Sequence, residues 1–479
     1  MNLSVSECLY QCQRLKTVET NSSLLSPHLP KGIEVAGKKR GPFPLHMTPF
    51  ESYMFADNSP RYPMSFVVQF VMSGTIDQTE FQGAIDFALA RHPMLRSIVR
   101  PAKSNRECWV VPEQINSQVD WGPIDQPIAV AGAGGYIDLR NEIGVRTYCR
   151  FDEKTAVMTF VFHHAAVDGI GGYLFLGDVL WAYAQKTGEV DTELPPLDEM
   201  DLRKRMKAAL GPELFGARDP NANSWENREA QPLVPLHQSS LNQATEHIFP
   251  CFQSHVFDKD EYRRLRLEAQ EDGQTINDRL LQSLFTSAYS WNETHGSINH
   301  EKTFAINMPL DLRQPENPLF SGINLVTNCF MHQSTDKVVD HETLGNWLRT
   351  EITRVKYERH HSEFMQRLLN ASENWQEAQD ELESDICHST IVFSNAGDPT
   401  KRFYVNLPRE KGKVRAGNLL LEDINGVPPL RQHTRATISI FTYRRQLKIC
   451  MRCDPFYFSE SDGKAFLDHF VKTFDSQKS

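Results

Sequence analysis

Nowhere in this 479-residue chain does an apolar run approach the roughly 20 residues that a membrane-spanning helix requires. The opening segment MNLSVSECLYQCQRL also lacks the apolar core of a secretory leader. Basic runs long enough to track a phosphate backbone are missing, and the net charge of -10 is spread along the sequence, which gives a nucleic-acid role no electrostatic support. These absences together predict a soluble, cytoplasmic protein without a transmembrane segment. Cysteine is scarce and irregular: nine residues, an odd number without repeated spacing, read as reduced thiols rather than a disulfide framework. Cys450 and Cys453 form a CxxC, but in a predicted strand their side chains point to opposite faces, and a metal site would need a second pair that the sequence does not hold. No repeat relates the two halves of the chain. What is present is 40% apolar and 23% charged residues, enough for two hydrophobic cores at this length.

The most informative segment is HHAAVDG, His163 to Gly169, at the end of an apolar alternating run that reads as a β-strand. Adjacent side chains on a strand point to opposite sides, so one histidine faces a cleft while the other packs or bonds behind it. His164 is the candidate for the cleft and His163 for the support. Asp168 and Gly169 then turn the chain into GGYLFLGDVLWAYAQ, whose apolar spacing fits a helix lying back on the sheet. A second doublet, His360 and His361, lacks the following Asp-Gly and sits in a charged helical stretch, where a surface position is expected.

Residues 1–41 are polar, carry the basic patch Lys38, Lys39 and Arg40, and read as an N-terminal extension. Strand and helix patterns fill 42–187, a first lobe; prolines and polar turns dominate 188–245, a crossover linker with one short charged helix; and the αβ pattern resumes over 246–479, a second lobe. The helices expected there include DKDEYRRLRLEAQEDG, INDRLLQSLFTSAYSWNE and one around 341–370.

The HHAAVDG segment resembles the HHxxxDG signature of the chloramphenicol acetyltransferase-like superfamily, which includes condensation domains, wax ester synthases and polyketide-associated acyltransferases. The likeness extends to MTPFESYMF at 47–55, to GTIDQTEFQGAIDFALARHPMLRSIV with its Arg91, His92, Leu95 and Arg96, to NMPLDLR at 307–313 followed by GINLVTN, to IVFSNAG at 391–397, and to LKICMRCDPFYFSESDGKAFLDHF. It spans roughly residues 42 to 475.

That resemblance implies an α/β fold, an α+β two-layer sandwich in each of two lobes, with a tunnel at their interface. It also implies acyl transfer from a pantetheine thioester, acyl-CoA or an acyl-carrier protein arriving in trans, to a hydroxyl or amine of a small-molecule acceptor, with no permanently bound cofactor and no metal. A neutral imidazole can accept a proton at cellular pH, so His164 is the candidate general base. In the family the motif aspartate pairs with an arginine; for Asp168, Arg96 is the first choice and Arg146 the second. Gly169 has two readings, a turn residue of unusual φ and a point where the pantetheine arm passes the backbone. Ser394 and Asn395 are candidates for stabilising an oxyanion, against the reading of a polar turn. Arg313 either helps hold the lobes together or faces solvent. The alternatives are a wax ester synthase or diacylglycerol acyltransferase, and a non-catalytic scaffold module. Two lobes in one chain can complete a site, so a monomer is expected.

Overall fold

β-Branched and aromatic residues crowd SFVVQFVMS and TAVMTFVFH, and these segments become the centre of the first sheet. The computed structural model describes residues 41–102, 107–130, 135–188, 190–214, 229–236, 249–296, 298–357, 361–371 and 384–476. The expected N-terminal extension with its basic patch, and His360, lie outside these. Residues Gly41–Ser479 form a single compact unit.

In the first lobe, β1 (Ser65–Ser73), β2 (Asp120–Pro123), β3 (Val145–Phe151) and β4 (Thr155–His163) lie in the order β1-β4-β3-β2. β1 and β4 pair antiparallel from Ser65 opposite His163 to Ser73 opposite Thr155. Helix α1 (Pro49–Ala56) begins in a capping box of Thr48 and Glu51, α2 (Gln78–Arg91) is capped by Asp77, and α3 (Gly169–Lys186) by Asp168. Phe81, Ile85 and Leu89 of α2 and Phe175, Leu176 and Val179 of α3 join the strands in one core.

The second lobe contains β5 (Gln253–Phe257), β6 (Thr303–Asp311), β7 (Val326–Ser334), β8 (Ile391–Gly397), β9 (Lys413–Ala416), β10 (Leu419–Val427), β11 (Ala436–Tyr443) and β12 (Gln446–Cys453). Six of them form a sheet in the order β7-β6-β8-β11-β12-β5. Its longer helices are α4 (Lys259–Glu271), α5 (Ile276–His295), α6 (His341–Tyr357), α7 (His361–Ala371) and α8 (Glu460–Ser476). Ile306, Phe393, Ile438 and Ile449 on one face of this sheet share a second core with Leu284 of α5 and Phe470 of α8. The opposite face carries Asn307, Ser394, Thr437, Ser439 and Lys448, set by the period of two along each strand.

β9 and β10 do not join that sheet. They return to the first lobe, where β10 pairs antiparallel with β1 along Leu420 to Val427. A cut at residue 245 therefore separates the sequence but not the sheets. The free edge of β1 needs a partner, and local patterning does not say which distant strand supplies it.

Candidate active site

His164 follows β4 immediately, and its main chain is held on both sides. Its N–H donates to the Met64 carbonyl at 2.7 Å, and its own carbonyl accepts from Asn324 Nδ2 at 2.5 Å. The ring lies between Phe50 and Phe66, with centroids 6.0 and 5.4 Å away. Nδ1 is buried without a side-chain hydrogen-bond partner among the described residues, and the residue lines the adjoining cavity. Burial holds the imidazole pKa below the usual histidine value, with the residue's own carbonyl and Asp168 pulling partly back. The ring is therefore neutral near pH 7, the state a proton acceptor needs.

His163 points the other way and is fully buried. Its Nδ1 accepts from the Ala165 N–H at 3.0 Å, so Nε2 carries the proton, without a partner among the described residues. Burial, with His164 adding to it, pushes its pKa down to about 3.

Asp168 caps α3 by accepting from the Gly171 N–H at 2.7 Å, and its other oxygen accepts from the Leu325 N–H at 2.7 Å. Both oxygens also take the Arg313 guanidinium, at 2.9 and 3.0 Å. This corrects the expected pairing. Arg96 donates instead to Glu199 at 2.9 Å, and Arg146 to Glu142 at 2.6 and 2.7 Å. The Asp168 carboxylate turns into the seam with the second lobe, while the other two arginines are partly exposed and meet nearer carboxylates. Burial alone would lower the Arg313 pKa, but Asp168 and Asp311 outweigh it and the net shift is upward.

Gly169 is not in the left-handed region, contrary to the first of its two readings; it is the first residue of α3 and lines the cavity. The glycine demanded by close approach is Gly171, where a Cβ would stand 2.8 Å from the Ile323 carbonyl oxygen and 2.5 Å from Val167. The same 322–325 segment is gripped by His92, whose Nδ1 accepts from the Gly322 N–H at 2.7 Å while Nε2 donates to Asp178 at 3.0 Å. The corner bearing His164 and the second lobe are thus joined by a short run of charged and main-chain bonds.

The cavity beside His164 has a volume of about 160 Å³. Ser394 and Asn395 both line it, in different states. The Asn395 amide is engaged, donating to Asn277 at 3.0 Å and accepting from Gly397 at 3.0 Å. Ser394 sits directly opposite Ser439 in the parallel β8–β11 register, and neither hydroxyl has a hydrogen-bond partner among the described residues. Ser439, Tyr173 and Arg402 also line the cavity, and sequence reasoning singled out none of them. Phe50 was missed as well, though a signal existed: Thr48-x-x-Glu51 is a capping box. Glu51 is completely buried, accepting from Trp109 Nε1 at 3.0 Å and Arg205 Nε at 2.9 Å, so the helix that sets Phe50 against the imidazole is anchored at its base.

Among the described residues no group of three or more His, Cys, Asp or Glu could hold a metal ion, and no helix is long and apolar enough to cross a membrane. Cys450 belongs to the first core and Cys453 borders the second, on opposite faces of β12.

Comparison with solved structures shows that the fold is the one found in condensation domains and in the proteins named next. Polyketide synthase associated protein 5 from Mycobacterium tuberculosis superposes with a TM-score of 0.59 at 13% identity, covering 92% of this chain and 100% of that one. The trichothecene 15-O-acetyltransferase TRI3 from Fusarium sporotrichioides gives 0.65 at 11% identity, covering 90% and 94%. A starter condensation domain of rhizomide synthetase, solved with C8-CoA, gives 0.59 at 11% identity, covering 90% and 94%. By sequence, an uncharacterised Mycobacterium tuberculosis protein, Rv2305, is 22% identical over 291 residues, 56% of this chain and 62% of the relative. The match therefore spans under two thirds of that curated relative's length. No family model matches.

Proposed function

We propose that the protein is an acyltransferase that moves an acyl group from a pantetheine thioester to a hydroxyl or amine of a small acceptor, with His164 as general base. The observation carrying this reading is a neutral imidazole, fixed through its main chain, that lines a cavity shared with the Ser394 and Ser439 side chains. Nε2 takes the acceptor's proton as the oxygen or nitrogen attacks the thioester carbonyl. A tetrahedral oxyanion forms; the carbon–sulfur bond then breaks, and the same imidazole returns the proton to the leaving thiolate. The Ser394 and Ser439 hydroxyls are the candidate oxyanion donors, since Asn395 is committed elsewhere. The C8-CoA complex of the rhizomide synthetase domain supports acyl-CoA as the donor to try first.

The test is thiol release from a panel of acyl-CoA thioesters, with and without mixed alcohols and amines, by the wild type and His164→Ala. Release that requires both an acceptor and His164 is expected. Release unaffected by His164→Ala removes the assigned base, and silence with every thioester, carrier-bound donors included, rejects acyl transfer.

A further inference from the structure

Outside the site just described, one pair of nucleophilic side chains lines a common cavity where the segment just before β5 passes the end of β12. β5 and β12 run antiparallel, with Phe257 opposite Leu447, His255 opposite Ile449 and Gln253 opposite Met451. The ladder ends there; Cys251 lies two residues before β5, and carrying the same register on would set it opposite Cys453, the last residue of β12. Directly opposed residues lie on one face of a sheet with Cα atoms about 4.5 to 5.5 Å apart, inside the span of about 4.4 to 6.8 Å that a disulfide bridges. Both cysteines line one small cavity with Gln253, Met451 and Gly463. A Cβ added at Gly463 would stand 3.7 Å from the Cys453 sulfur, so α8 leaves room over this thiol. Both thiols are free and neither residue is fully buried. Cys450, the other half of the CxxC, faces the first core on the far side of β12 and does not compete.

We infer that Cys251 and Cys453 are a redox-sensitive pair that forms a reversible disulfide with a small-molecule disulfide such as oxidised glutathione. Burial raises the pKa of both thiols; at Cys251 the Arg452 charge opposes the rise while Glu460 adds to it, whereas at Cys453 Asp454 and Asp462 only reinforce it, which makes Cys251 the attacking thiol. The Cys251 thiolate attacks one sulfur of the oxidant and releases a first glutathione thiol. The Cys453 thiolate then attacks the Cys251 sulfur of the mixed disulfide and releases a second. Two electrons pass from the protein dithiol to the oxidant, and both protons end on the released thiols.

The bridge joins the segment entering the second lobe to the strand end just before Asp454, which accepts from the Tyr62 hydroxyl of the first lobe at 3.2 Å. It would close a loop of some 200 residues, long enough for a cross-link to restrict the unfolded chain strongly.

The full chain is incubated with oxidised glutathione, blocked with an alkylating agent, digested without reductant and mapped by mass spectrometry, alongside a dithiothreitol-treated control. A cross-linked peptide pair containing Cys251 and Cys453, two hydrogens lighter than the reduced pair and lost on reduction, is expected, with a higher melting temperature for the oxidised protein. Cys453→Ser should instead retain glutathione on Cys251. Alkylation of both thiols after oxidation, a stable glutathione adduct on wild-type Cys251, or a cross-link from either residue to another cysteine would each overturn the pairing.

Discussion

At the residue scale, two neighbouring histidines are driven apart by the direction of their side chains. His164 lines the cavity, and its Ala variant is expected to lose roughly 10²- to 10⁴-fold in acceptor-dependent turnover, the usual contribution of a positioned base. Because burial lowers its pKa, the ring stays neutral further into acid than an ordinary histidine. The acid limb of the pH–rate profile should thus fall below pH 6.5; a limb centred above that value would falsify the assignment. His163 affects stability instead. Its folded pKa of about 3 lies below the usual histidine value of 6.5, so the unfolded chain binds the extra proton between those values. This contribution is complete above pH 6.5 and drains away as pH falls toward 3, at about 1.4 kcal/mol per pH unit. Urea denaturation at pH 7 and pH 5 should show His163→Asn with a shallower loss than the wild type, even if its midpoint is lower at both.

At the scale of elements, the strand, the histidine, the turn and the helix behind it were all legible, because each rests on contacts within a few residues. The capping aspartate was legible for the same reason. Its ion-pair partner was not: Arg313 lies 145 residues further on, and from sequence the nearer Arg96, and after it Arg146, were preferred. Ser439 escaped notice because its place opposite Ser394 exists only once β8 and β11 are paired. The clamp between α3 and the 322–325 segment gives a direct test. Arg313→Ala leaves the buried Asp168 charge uncompensated and is expected to destabilise the protein by about 3 to 5 kcal/mol, read from chemical denaturation. A loss below about 1 kcal/mol would mean that the pair behaves like an exposed one. Gly171→Ala pushes a methyl into Ile323 and Val167 and should cost about 1 to 3 kcal/mol, whereas Gly169→Ala, with nothing nearer than 4.0 Å, should leave stability nearly unchanged.

At the scale of the whole molecule, the second half of the chain completes the first sheet. Strand and helix segments could be read from alternating patterns and the fold class came with the family resemblance, but the return of β9 and β10 to the far edge of β1 could not be read, since a strand's pattern fixes its buried faces and leaves its neighbour open. With a shared sheet and a charged seam, the lobes should unfold together. Scanning calorimetry is expected to give one transition whose van't Hoff and calorimetric enthalpies agree, and two resolved transitions would show that the lobes are energetically independent.

The borrowed strand also imposes an order on synthesis. β4 is finished at His163, yet the first sheet cannot close until Val427 has emerged, 264 residues later. At translation speeds of 5–20 residues per second that is a wait of roughly 13 to 50 s. Throughout it the nascent chain holds β1 with one edge unpaired, which makes the growing polypeptide, rather than the finished protein, the species most in need of a chaperone.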